Sequence, residues 1–291
     1  MESGLPTLAA PKRVVKDDTV PTGCGIVTYW ACFALLVLSI FQHALFPPGR
    51  TGPPKPLPAL VSTLPADRVY SGPEGDYAAT LAALRKDAQA APSTQLLFLG
   101  DSLTESLRGD CTRPECVEEL PAVWKEVFAP RQALALGVPG DRTENLLYRL
   151  AQGETAGLAP SLTVVEIGTN NLAFGHSAEA TAMGIDAVIR SVKEELPYTH
   201  VALMLLFPRP KDKGDNTPWK EVDVVNELLQ ESLRGTPRVS IVDCTRPFLK
   251  DGLVDTDKLP DGIHPNGEGA RAWAKCLNRV TGKYLPKAKK G

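Results

Sequence analysis

From residue 95 onward, short apolar runs alternate with longer stretches of helical periodicity. The runs cover residues 95–99, 132–136, 162–167, 200–207 and 239–242. They are too short for helices, and most are apolar throughout, as strands buried on both faces must be. Between them the pattern predicts helices over 117–128, 143–151, 178–196 and 219–234. A further helix at 76–91 precedes the first strand, and one at 267–280 follows the last. Strands alternating with helices predict an α/β fold with a parallel sheet covered on both sides.

The N-terminal part has a different pattern. Residues 1–23 are polar, with scattered Gly and Pro, and read as a disordered tail. Residues 24–46 read as a transmembrane helix: from Gly25 to Phe46 there is no Asp, Glu, Lys or Arg. At about 1.5 Å per residue this run reaches roughly 33 Å, enough to cross a bilayer core. Tyr29, Trp30 and Phe46 lie towards its ends, where aromatic anchors belong. A cleaved signal peptide fits less well, because the run is long and a polar stretch precedes it. Residues 47–66 carry seven prolines and read as an extended stalk. The globular domain then covers 67–291. Lys12, Arg13 and Lys16 before the span outweigh Arg50 and Lys55 after it. The expected topology is therefore type II, a signal anchor with the domain in the lumen of the Golgi and secretory pathway or outside the cell.

Charge and cysteine refine this picture. With 32 Lys and Arg against 34 Asp and Glu, the chain lacks the basic excess of a general nucleic-acid binder. Cys111 and Cys116 flank four residues in an apparent loop. A tight turn could bridge them as a disulfide, which would suit an oxidising compartment, but two free thiols fit as well. Cys244 and Cys276 fall in a predicted strand and helix and read as core residues. Sequence gives no oligomeric state.

The chemistry sits where strands end. The first strand runs into Gly100-Asp101-Ser102, the second into Gly137-Val138-Pro139-Gly140-Asp141, and the third into Gly168-Thr169-Asn170-Asn171. Asp261-Gly262-Ile263-His264 precedes the last helix. In an open parallel sheet, ligands collect at these carboxyl ends. Acyl transfer needs a nucleophile, a base, a group that orients the base, and donors for an oxyanion. Ser102, His264 and Asp261 supply the first three. The N–H groups of Ser102 and Gly137 and the amide of Asn170 suit the last. Blander readings exist for each residue: Ser102 with Glu105 fits a helix-capping box, the glycines fit turns, and Asn170 and Asn171 fit caps. Together, at the ends of successive elements, the four groups are hard to read blandly.

These four blocks resemble the SGNH (GDSL-type) hydrolases, most closely their platelet-activating-factor acetylhydrolase-like branch. The matching segments are 98–105, 135–143, 166–171 and 259–266. The resemblance implies a flavodoxin-like three-layer α/β/α sandwich with a five-stranded parallel sheet. It also implies a Ser102–His264–Asp261 triad, an oxyanion hole from Ser102, Gly137 and Asn170, and no metal or organic cofactor. Two features depart from the family pattern: the segment around Cys111 and Cys116 reads as an insertion, and the span and stalk are additions.

The expected function is a serine esterase acting on a short-chain ester. An acetyl group on a carbohydrate or other polar alcohol suits the location and the lack of a long apolar lid. A phospholipid or lysophospholipid esterase, or an acyltransferase at the membrane, is the alternative. A glycan-binding module without activity fits poorly, since such a chain need not retain every triad member.

Overall fold

A computed structural model describes residues 59–68, 76–108 and 119–285 of the 291-residue chain. The predicted tail at 1–23, the span at 24–46, most of the stalk and the Cys111–Cys116 pair lie outside the described residues. Among the described residues no helix is long and apolar enough to cross a membrane.

Five strands build the sheet: β1 (Leu96–Gly100), β2 (Ala133–Gly137), β3 (Leu162–Glu166), β4 (His200–Met204) and β5 (Val239–Val242). They are all parallel, in the order β2-β1-β3-β4-β5. The chain winds outward to both sides from β1 and β3, so a crevice opens beyond the carboxyl ends of these two strands. Alternate residues face opposite layers. Leu97, Leu99, Val165 and Leu203 point to one side. They pack on α1 (Tyr77–Ala90), α4 (Thr143–Ala151), α6 (Ala178–Glu195) and α7 (Lys220–Ser232). Leu96, Phe98, Val164 and Met204 point to the other. There they meet α2 (Ser102–Leu107), α3 (Glu119–Val123) and α8 (Gly267–Tyr284), with Trp273 fully buried among them. A short helix, α5 (Thr169–Ala173), follows β3. A small hairpin of β6 (Leu249–Lys250) and β7 (Leu253–Val254) lies between β5 and α8.

Two expectations change. The Pro-rich composition predicts an extended chain up to residue 66. Instead Ala59–Thr63 forms a 3₁₀ turn, and the chain up to Arg68 lies against the domain. The contacts are polar: the Ser62 carbonyl accepts from Thr143 Oγ1 at 2.8 Å, and Ala66 N donates to the Glu144 carbonyl at 3.0 Å. Ser62 Oγ lies 2.6 Å from His176 Nδ1. Composition conceals such docking because no apolar pattern carries it. Likewise Cys244 and Cys276 are not two separate core thiols. They form a disulfide, with Cα atoms 5.9 Å apart, that joins the segment after β5 to α8. Cys244 is fully buried, so the core reading holds for it in part.

Candidate active site

Strand β1 ends at Gly100, where a side chain would strike the Glu166 carbonyl and Thr104 Oγ1. The chain then turns directly into α2. Asp101, not Ser102, caps this helix: its Oδ1 accepts from Leu103 N at 3.0 Å. The capping reading of Ser102 therefore does not hold, and its hydroxyl is directed elsewhere. Ser102 Oγ lies 2.9 Å from His264 Nε2. His264 Nδ1 lies 2.7 Å from Asp261 Oδ2. Since a carboxylate only accepts, Nδ1 carries the proton and Nε2 is left to accept from the serine.

The Asp261–His264 turn is itself tightly held. Asp261 Oδ1 accepts from the backbone N–H groups of Ile263 at 2.9 Å and His264 at 2.7 Å. Gly262 sits at φ +82°, with the Pro210 ring where a side chain would be. Burial alone would raise the Asp261 carboxyl. The bonds from the His264 ring and from these backbone N–H groups outweigh it and hold the group at about 2. Asp261 thus stays charged wherever the protein is folded at ordinary pH.

Of the three expected oxyanion donors, Ser102 N lies at the start of α2, where the helix dipole favours negative charge. Gly137 ends β2 beside Gly100. Its missing side chain faces the Asp101 carbonyl and Glu105 N, so glycine here serves close packing of α2 on β2. Asn170 Nδ2 donates to Asp101 Oδ2 and to the Asp141 carbonyl, each at 3.0 Å. The amide is thereby fixed beside the Ser102 turn, with both hydrogens on protein acceptors.

Several charged groups escaped the sequence reading. Arg149 is fully buried. Its Nη2 donates to the Gly100 carbonyl at 2.9 Å, Nη1 reaches the Leu136 carbonyl at 3.3 Å and Glu154 at 2.8 Å, and Nε lies 2.9 Å from Asp141 Oδ2. One guanidinium thus ties together the ends of β1 and β2. Arg209, after β4, donates from Nη1 to Thr169 Oγ1 at 3.1 Å. Burial lowers it, against the opposing pull of Asp101 and Asp261. Glu166 ends β3, next to Gly100 in register and fully buried. An acidic residue near the end of a largely apolar run is the signal the sequence offers for Glu166. Among the described residues no group of three or more His, Cys, Asp or Glu side chains is placed to hold a metal ion.

Comparison with known proteins fits this geometry. The family model described as GDSL-like Lipase/Acylhydrolase matches residues 98–272. Platelet-activating factor acetylhydrolase IB subunit alpha1 of Homo sapiens is 34% identical over 188 residues, covering 64% of this chain and 74% of the relative. Subunit alpha2 of Gallus gallus is 32% identical, covering 64% and 75%. In fold, the chain is similar to the crystal structure of a GDSL-like lipase from Bacteroides thetaiotaomicron. That match has a TM-score of 0.54 at 17% identity and covers 70% of this chain and 98% of that one. The chain belongs to the GDSL-like lipase/acylhydrolase family, in its platelet-activating-factor acetylhydrolase-like branch, and is an ester hydrolase.

Proposed function

We propose that this protein hydrolyses a short-chain ester, an acetyl group on a carbohydrate or other polar alcohol, through an acyl-enzyme on Ser102. The observation that carries the reading is the continuous line of hydrogen bonds from Ser102 Oγ through the His264 ring to Asp261, at 2.9 and 2.7 Å. In the first step Ser102 Oγ bonds to the ester carbon and its proton passes to His264 Nε2. The alkoxy C–O bond breaks and the same proton goes to the departing alcohol. Water then repeats the sequence and releases the acid. Asp261 holds the imidazole tautomer and balances the imidazolium charge. The oxyanion is met by Ser102 N, Gly137 N and Asn170. The amide stays anchored on Asp101 and exchanges its bond to the Asp141 carbonyl for one to the oxyanion.

The acetyl group is supported by the relatives, which are named acetylhydrolase subunits. The polar alcohol is supported by a charged group near the site, Arg209, which donates to Thr169 and feels the charges of Asp101 and Asp261. The same relatives' names favour a second reading, an acetyl ester on a phospholipid. We further propose that the span at 24–46 tethers the domain in a lumenal or extracellular compartment. The apolar run and the Cys244–Cys276 disulfide support this.

A chromogenic ester series from acetyl to octanoyl tests the chain length, with the full chain and its Ser102→Ala variant. Turnover is expected to peak at acetyl and vanish in the variant. A peak at octanoyl, or turnover of acetylated phospholipid vesicles with none of acetylated glycans, contradicts the first reading and supports a lipid substrate.

A further inference from the structure

Behind the Ser102 turn lie two carboxyls that take no part in the proton transfers of acyl transfer. Asp101 and Glu166 are both buried, at the adjacent ends of β1 and β3. They are not equivalent. Asp101 accepts two N–H bonds, from Leu103 N and from Asn170 Nδ2, each at 3.0 Å. Such donors favour a carboxylate. Neither oxygen of Glu166 accepts from any N–H or O–H among the described residues. A buried carboxylate with no donor would be very costly, whereas a carboxylic acid has a proton to give. The neighbour able to receive it is Asp101, which directly follows Gly100, the residue paired with Glu166 across β1 and β3.

We propose that Glu166 is a positioning residue of this centre: as a neutral carboxylic acid it donates to Asp101, and Asp101, so fixed, holds the Asn170 amide and the first turn of α2 in place. The inference rests on the reading of Ser102 as nucleophile. It adds a chain running from Glu166 through Asp101 to an oxyanion donor on one side and to the helix that presents Ser102 on the other. The electrostatics agree. Burial pushes Glu166 well above the ordinary carboxylate range, and the charge of Asp101 and the bond to it push the same way. Burial also raises Asp101, to about 6. The Leu103 N–H, His264, Arg209 and the bond from Glu166 pull against that rise. The other charged groups facing this pair are Asp141 after β2 and Arg149, which reaches the Gly100 carbonyl from α4. If Glu166 loses its proton at high pH, two buried anions face each other and the chain comes apart.

Glu166→Gln and Glu166→Leu in the full chain test this, with Ser102→Ala as control and kcat followed from pH 6 to 10. Gln keeps a donor that cannot ionise. Its kcat at pH 7 is expected within about threefold of the parent, and the alkaline fall of the parent kcat is expected to move upward or disappear. Leu is expected to lose on the order of 10- to 100-fold in kcat with little change in KM, since a preorganised donor goes slack. The Gln result separates this from a merely structural role, which would move no pH limb. An alkaline limb unchanged in Glu166→Gln, or a folded Glu166→Leu variant with parental kcat, overturns the proposal. Should Glu166→Leu fail to fold, the limb of Glu166→Gln decides alone. Turnover surviving in Ser102→Ala would instead overturn the nucleophile reading, an outcome distinct from both.

Discussion

At the scale of single residues, the division of labour between Asp101 and Ser102 matters most. A serine at this turn would ordinarily spend its hydroxyl on the helix N-terminus. Here Asp101 caps α2, and the Ser102 hydroxyl lies against His264. Asp261 then fixes which imidazole nitrogen is free to accept. Asp261→Asn keeps the size of the side chain but replaces an acceptor with an amide, which can favour the wrong tautomer. The expected loss in kcat is about 10³- to 10⁴-fold with the melting temperature little changed. Steady-state kinetics beside thermal denaturation checks this. A loss below about tenfold would mean that Asp261 does not orient the base.

At the scale of elements, the site depends on where the ends of β1 and β2 are held. Arg149 binds both through their carbonyls and balances Asp141 and Glu154 in a dry setting. Removing one partner of such a network strands the others as uncompensated buried charges. Arg149→Met is expected to destabilise the fold by about 3–5 kcal/mol, read as a shift in the urea midpoint. A change below about 1 kcal/mol would show that the network is not structural. All five strands and the long helices were legible in the sequence, because each strand is an apolar run and each helix carries a periodic face. Arg149, Arg209 and Glu166 were not, since a buried charge is explained by partners that lie far along the chain. The docking of residues 59–68 was hidden for a related reason: proline-rich composition reads as a spacer, while its anchor is Ser62 against Thr143 and His176.

At the scale of the whole molecule, the covalent link between Cys244 and Cys276 ties α8 to the end of β5. His264 lies in the loop this bond encloses, so the disulfide shortens the excursions open to its imidazole. Closing a loop with a sequence separation of 32 stabilises a domain by about 3–4 kcal/mol in the chain-entropy account. The Cys244→Ser, Cys276→Ser double variant is expected to lose that much in urea unfolding under non-reducing conditions. Equal stability of the two proteins would remove the disulfide from the account. Sequence placed both cysteines in elements but could not pair them, because pairing depends on how β5 and α8 meet.

The most direct measurement is covalent labelling with a fluorophosphonate, followed by peptide mapping of the full chain. A serine activated by His264 attacks phosphorus, displaces fluoride and keeps the phosphonyl group. A single adduct on the peptide holding Ser102 is predicted, absent in Ser102→Ala and strongly slowed in His264→Ala. Ester turnover that persists in Ser102→Ala, or an adduct on another serine whose loss abolishes turnover, would contradict the claim that this turn carries the nucleophile.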